Sequence, residues 1–318
     1  LFFFNWLPAV GFGQERIKIA YSSVDASNIA WYGAYDTGFY RKYGLDVELI
    51  YIPSSTTTVS SVLAGDIQIA NASGGAVANA AVGGASLLIT GCYINTLPYE
   101  LVVQEAVKSA EDLRGKSIGI SRVGSASDVA ARALIKGLGL EPVRDVPILQ
   151  VGGAPERAAA FRTGRIAGFP SPPGIIHLAK GMAHRILIST ADFQKPFDFP
   201  FICSTTTRSF YTAQRETVKK VMMALIETTH FVKTRKEESK KIIAKYSRQN
   251  NPFYLESAYV AVAKLHERVP LVTREGAEVQ IKEALGRRPG ATLKFEDLVD
   301  DSIVRELAQS GFIDRVYR

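Results

Sequence analysis

The chain has 318 residues, 47% hydrophobic and 22% charged, which excludes disordered and collagen-like classes and allows two lobes of about 100 to 200 residues each. The formal net charge is +7, yet Lys and Arg are dispersed, and the one dense run, KTRKEESKK from Lys233 to Lys241, is interleaved with acids and reads as a solvated helix face. With no reading motif or basic-aromatic stripe beside that charge, nucleic acid is excluded as a partner.

In chain order, LFFFNWLPAVGFG at 1–13 is apolar, too short to span a bilayer, and ends in Gly11-Phe12-Gly13 before a polar switch. That is the form of the end of a secretory signal, here truncated, so export to the periplasm and a soluble mature chain are expected. RIKIAYSS then reads as a strand, SNIAWYGAYDTGFYRKYG as a helix closed by Gly44, and LDVELIYI as a second strand. A helix over TTTVSSVLAGD, a strand IQIANAS, a helix GGAVANAAVGG and strands ASLLITGCYI and YELVVQ complete a first α/β series. A second series follows: strand KSIGIS, a helix from SASDVAARALIKG, strand VPILQV, helix APERAAAFRTG, short strand RIAGF, helix GIIHLAKGM and strand RILIST. FPFICSTTT is one more strand, and from Tyr211 onward periodic apolar faces predict an almost wholly helical tail.

Catalytic classes find little support. His177, His184, His230 and His266 form no ligand-spaced set, and Cys92 and Cys203 match no zinc pattern, so neither metal nor other cofactor is expected. GSASD lacks the last glycine of a nucleophile elbow. ASGGAVANAAVGGA matches neither a phosphate loop nor a dinucleotide fingerprint.

The stretch GKSIGISRVGSASDVAARALIKGLGL turns from buried strand into helix with a glycine and serines at the joint. The first helical turn leaves amides unpaired at the positive end of the dipole, a ready site for an anion. Gly124 permits close backbone approach, Ser125 and Ser127 offer hydroxyls or a helix cap, and Arg122 offers a bidentate fork to a carboxylate or sulfonate.

Four segments, GAYDTGFYRKYGLDVELI, VSSVLAGDIQIANAS, AEDLRGKSIGISRVGSASDVAARALIKGLGL and GGAPERAAAFRTGRIAG, resemble in order and spacing the signature segments of type II periplasmic solute-binding proteins of ABC importers. The branch they resemble holds the alkanesulfonate, taurine and nitrate binders and the thiamine-precursor-synthesis-like proteins. The resemblance implies an α/β fold of two lobes, each a mixed sheet flanked by helices, with the helical C-terminal part on lobe one. Crossings near Val103 and Phe201 would make residues 14–103 and 202–318 lobe one and 104–201 lobe two. It implies a monomer that captures a small molecule between the lobes and delivers it to a membrane permease and its ATPase. A small organic anion is the expected ligand; a neutral or cationic heterocycle such as a pyrimidine thiamine precursor is the alternative.

The ligand would sit at the carboxyl ends of the strands. Arg122, Gly124, Ser125, Ala126 and Ser127 would face it from lobe two, and Ser23, Ser54, Ser55, Ser73 and Gly75 from the lobe-one joints SSVDASN, IPSSTTT and NASGG. Trp31, in the first helix turn, could stack on a flat ligand body. Ser171 and Pro172 lie in GFPSPPG, the family's cleft segment, which departs here in carrying Ala167 where an acid is usual. The resemblance extends to a precursor-synthesis enzyme with a cysteine-rich motif, absent here, and to effector domains that follow a DNA-binding helix pair, for which there is no room before Ile17. Cys92 and Cys203 both sit in buried-strand patterns and are expected as free thiols.

Overall fold

β1 (Glu15–Tyr21) buries Ile17 and Ile19 while Arg16 and Lys18 face solvent, the period-two alternation of a strand packed on one side. The same alternation runs through the start of β2 (Leu45–Tyr51), where Leu45 and Val47 are buried and Asp46 and Glu48 exposed. The computed structural model describes residues 15–172, 183–195 and 197–318. The leader at 1–13 and the helix expected over 174–182 lie outside the described residues.

Between β1 and β2 stand α1 (Ile29–Asp36) and α2 (Phe39–Lys42). The sequence predicts one helix here; instead it breaks at Gly38, whose φ of 77° is left-handed, after Thr37 has turned its hydroxyl back onto the Gly33 carbonyl at 2.8 Å. α3 (Ser55–Leu63), β3 (Ile69–Ala72), α4 (Gly74–Val82) and β4 (Leu87–Thr96) complete the first series. The second comprises β5 (Glu100–Gln104), α5 (Ala110–Leu113), β6 (Ile118–Ile120), α6 (Ala126–Gly137), β7 (Ile148–Gln150), α7 (Ala154–Arg162), β8 (Gly168–Ser171) and β9 (His184–Ser189). β10 (Asp198–Thr207) leads to α8 (Arg208–Ala213), α9 (Arg215–Thr234), α10 (Lys236–Ser247), α11 (Pro252–Leu265) and α12 (Arg274–Gly286). Three short helices, α13 (Phe295–Leu298), α14 (Ser302–Gln309) and α15 (Phe312–Val316), end the chain.

The described residues form two five-stranded sheets, ordered β2-β1-β3-β10-β4 and β7-β6-β8-β5-β9. In each, the first three positions are joined in parallel, and the fourth is held by an antiparallel strand that has come from the other sheet, β10 in the first and β5 in the second. The chain therefore passes between sheets at 97–99 and again at 190–197, a few residues before the crossings expected near Val103 and Phe201. The two passages are tied together: Thr190 donates its hydroxyl to the Leu97 carbonyl at 2.7 Å, and its backbone N–H to the Tyr99 carbonyl at 2.9 Å.

β8 begins later than the expected strand RIAGF, and at its start Gly168 lies flat against β5: a Cβ there would sit 2.5 Å from the Val102 carbonyl oxygen. The helical tail packs on the first sheet's half, α9 against α1 and α12 against α4. Among the described residues no helix is long and apolar enough to cross a membrane.

The expectation of free thiols is corrected: Cys92 and Cys203 form a disulfide. β10 inserts beside β4 with Cys203 directly opposite Cys92. Two separately buried strand patterns, 111 residues apart, give no sign of that register.

Candidate functional site

Four strand-to-helix joints meet where the parallel strands end: those after β1 and β2 from the first sheet, and those after β6 and β7 from the second. Between them lies a cavity of about 40 Å³, room for little more than a small polar group. Tyr99, from the first passage between sheets, and Phe201, in β10, close one side and meet edge-on at 5.6 Å. The walls also touch directly. Thr56 Oγ1 donates to the Val123 carbonyl at 3.2 Å, and Gly153 packs so close to Tyr51 and Pro53 that a Cβ would lie 3.0 Å from the tyrosine oxygen.

On the first-sheet wall Asp25 caps a 3₁₀ turn over Ala26–Asn28. Its Oδ1 accepts from the Ser27 amide at 2.9 Å and from the Ser27 hydroxyl, and its Oδ2 accepts from the Ser23 hydroxyl. Asn28 is fixed by Asn71, whose Nδ2 donates to Asn28 Oδ1 at 2.6 Å. Ser54 takes a φ of 85°, costly for a residue with a side chain. Its hydroxyl is buried in the cavity wall with no hydrogen-bond partner.

On the second-sheet wall the hydroxyls of Ser121, Ser125 and Ser127 form a triangle with all three sides 2.9 Å. A hydroxyl has one hydrogen. That of Ser125 goes to the Arg122 carbonyl at 2.7 Å and that of Ser121 to Ser125, so Ser127 is the hydroxyl left to donate within the triangle. Ser125, not Ser127, is the helix cap, accepting from the Asp128 amide at 3.4 Å. Asp128 is wholly buried in the first turn and accepts from the Gly124 amide and Arg132 Nε, each at 2.8 Å.

The cation of the cavity is Arg157, on the first turn of α7. It is 5% exposed, donates Nη1 to the Gly152 carbonyl at 3.0 Å, and leaves Nε without a partner. Burial pulls its pKa below the ordinary guanidinium value, while Tyr99, Asp25 and Tyr51 pull the other way. A guanidinium starts so high that it keeps its charge. Burial likewise raises the Tyr99 phenol, and burial with the neighbouring Glu156 and Asp25 carboxylates pushes Tyr51 up to about 12.

Of the residues singled out in the sequence, Ser23, Ser54, Ser55, Ser125, Ala126 and Ser127 line this cavity. Gly124 stands behind it, with φ 80° and its amide on Asp128. Arg122 is exposed and does not reach it. Ser73 and Gly75 are buried at the start of α4, where Pro200 covers Gly74 and Gln280 covers Gly75. Trp31 is turned into the core, wholly buried and edge-on to Tyr93 at 6.5 Å. Ser171 bonds its own neighbour's carbonyl, and Pro172 borders a separate, mainly apolar cavity of about 20 Å³ under α11.

Arg157, Asp25 and Tyr99 also line the cavity and are not among the residues expected from the sequence to face a ligand. For Arg157 a signal exists: a cation in the first turn of a helix opposes the macrodipole, which favours anions there.

Comparison with known proteins agrees with this architecture. A Bordetella bronchiseptica structure superposes with a TM-score of 0.78 at 16% identity, over 94% of this chain and 98% of that one. The periplasmic aliphatic sulphonate binding protein SsuA of Escherichia coli gives 0.66 at 18% identity, over 92% and 96%. These likenesses establish the periplasmic binding protein fold. A Brucella abortus protein, named as a candidate binding protein, is 25% identical over 260 residues, 77% of this chain and 75% of its own. Residues 13–247, well over half of the sequence, match the model of the NMT1-like family, and the chain belongs to that family.

Proposed function

We propose that the protein is the periplasmic solute-binding subunit of an ABC importer, closing two lobes on a small organic anion of sulfonate or carboxylate type. It would then hand that anion to a membrane permease driven by an ATPase. The lobes are the halves built on the two sheets, with the passages at 97–99 and 190–197 as the hinge, and the subunit works as a monomer without catalysis. One observation carries the reading: Arg157 Nε and Ser54 Oγ, from opposite halves, are both buried and unpartnered beside one cavity. An unpaired buried polar group costs about 1–3 kcal/mol, and an oxyanion accepting from both donors would relieve two such costs at once. A ligand without an acid group would leave the guanidinium unanswered. Because the two donors sit on different halves, the ligand binds the closed form better than the open one, and this difference alone shifts the population toward closure.

A thermal-shift screen across sulfonates, carboxylates and pyrimidines tests this. A matching ligand at about 100 times its Kd stabilises the fold by about 2.7 kcal/mol. If only neutral or cationic compounds raise the midpoint, the anion reading falls.

A further inference from the structure

Only the first turn of α6 lines the small cavity. Along the rest of that helix runs a separate groove of about 680 Å³, walled by α6 on the second-sheet half and by α12 on the first-sheet half. That size falls within the range of about 300–1,000 Å³ usual for small-molecule sites. Aromatic rings line it between the two helices. Phe193 and Phe197 meet edge-on at 6.0 Å and are both half-buried, and Gly137 lets Phe193 lie on the end of α6, where a Cβ would be 2.8 Å from the ring. Phe199 and Phe201 continue the row at 6.3 and 6.5 Å but are buried, so the rings that stand between groove and cavity keep the two apart.

Arg132 and Lys136 line the groove one turn apart on α6. Like charges at that spacing work against a helix. Lys136 makes no ion pair or side-chain hydrogen bond among the described residues, and Arg132 gives Nε to Asp128 at 2.8 Å while its two terminal nitrogens stay free. Arg287 lines the α12 wall, held by a 3.4 Å bond to Asn79. The carboxylates of the lining, Glu141 and Glu283, are exposed and pair with none of these cations.

We propose that this groove is a second ligand site, apart from the small cavity, and that it takes an aromatic acid: the ring against Phe193, Phe197 and Pro142, the acid group on Arg132 and Lys136. Half-buried rings offer edge and face to another ring. A guanidinium with its terminal N–H groups free, beside an ammonium, suits a carboxylate or sulfonate. An aliphatic acid would leave the rings in water, and a neutral aromatic would leave the two like charges unanswered. The site does not depend on what the small cavity holds.

The test is calorimetry on the whole protein with naphthalene-2-sulfonate as probe and 2-naphthol as the same rings without the acid. The sulfonate should bind about fivefold or more tightly than the naphthol, the worth of two exposed ion pairs. Ala133→Phe fills the groove from a half-buried position on α6, and should weaken the sulfonate about tenfold or more. Lys136→Ala, an exposed change that breaks no contact, should weaken it about two- to fivefold. Arg157→Ala should leave it unchanged, since Arg157 lies in the small cavity and not in the groove. Equal affinity for the naphthol, or an unchanged affinity in Lys136→Ala, overturns the acid's place on α6. Full binding in Ala133→Phe, or no binding to the wild type, overturns the site. Binding lost in Arg157→Ala but kept in Ala133→Phe puts the sulfonate in the small cavity, which overturns the groove and leaves the anion reading above standing.

Discussion

The second sheet ends in two strand-to-helix joints, and they are built on opposite plans. The joint after β6 is crowded with hydroxyls that satisfy one another: Ser121, Ser125 and Ser127 close a triangle, Ser125 caps the helix, and Asp128 binds the Gly124 amide. The joint after β7 has no side-chain cap and a bare Gly153, but it carries Arg157 with an unpaired Nε. Polar residues that complete each other's hydrogen bonds build a rigid wall and have little left to offer. A group left incomplete by its own fold is the one that waits for a partner.

This contrast can be broken by substitution. Arg157→Ala should weaken binding of the identified ligand by about 1.5–3 kcal/mol, the range for hydrogen bonds to charged groups, and calorimetry that finds affinity unchanged would break the comparison at its strongest point. Ser125→Ala should act on stability, losing about 0.5–2 kcal/mol in urea unfolding as an N-cap, and should cost less in affinity than Arg157→Ala; the reverse order would make the triangle a ligand site rather than a wall.

The two glycines sharpen the same point. Gly124→Ala forces a side chain into a left-handed conformation at φ 80°, so unfolding should show a loss of about 1–2 kcal/mol. Gly153 has an ordinary φ of −62°, and alanine there should leave stability nearly intact. Its Cβ, however, would lie 3.0 Å from the Tyr51 oxygen and 3.3 Å from Pro53, so closure should be hindered and ligand affinity reduced several-fold, by about 1 kcal/mol. Equal stability losses in the two variants would erase the distinction. Smallest of all, Arg122→Ala should change neither affinity nor stability by more than about 0.5 kcal/mol, as for other exposed positions.

How much of this was legible follows from range. The strands, most helices and the two α/β series are written in local periodicity, and the hydroxyl-rich joint in a few adjacent residues. Asp25 lay inside a joint already recognised, SSVDASN, but nothing local distinguishes a cap carboxylate from one that also faces a cavity. Tyr99 and Phe201 lie in YELVVQ and FPFICSTTT, both legible as strands, but alternation within a strand does not say that the starts of two distant strands meet at one cavity. Helix phase alone does not say which side of the first turn meets the core, and Trp31 is wholly buried there. The cysteine pairing depended on a strand that returns after 111 residues to lie beside its partner. Arg157 was the residue most open to inference, since its position against the helix dipole asks for an anion.

The Cys92–Cys203 bond has a mechanical consequence. All five strands of the second sheet lie between the two sulfurs, along with both passages that lead to it. Pulled from its ends, the oxidised molecule can never yield that lasso of 111 residues, whereas the reduced one can, and the two should differ in full extension by about 370–400 Å. A protease that cuts once inside the lasso likewise opens a ring without releasing a piece: the nicked protein should run as a single band until reductant is added, then as two.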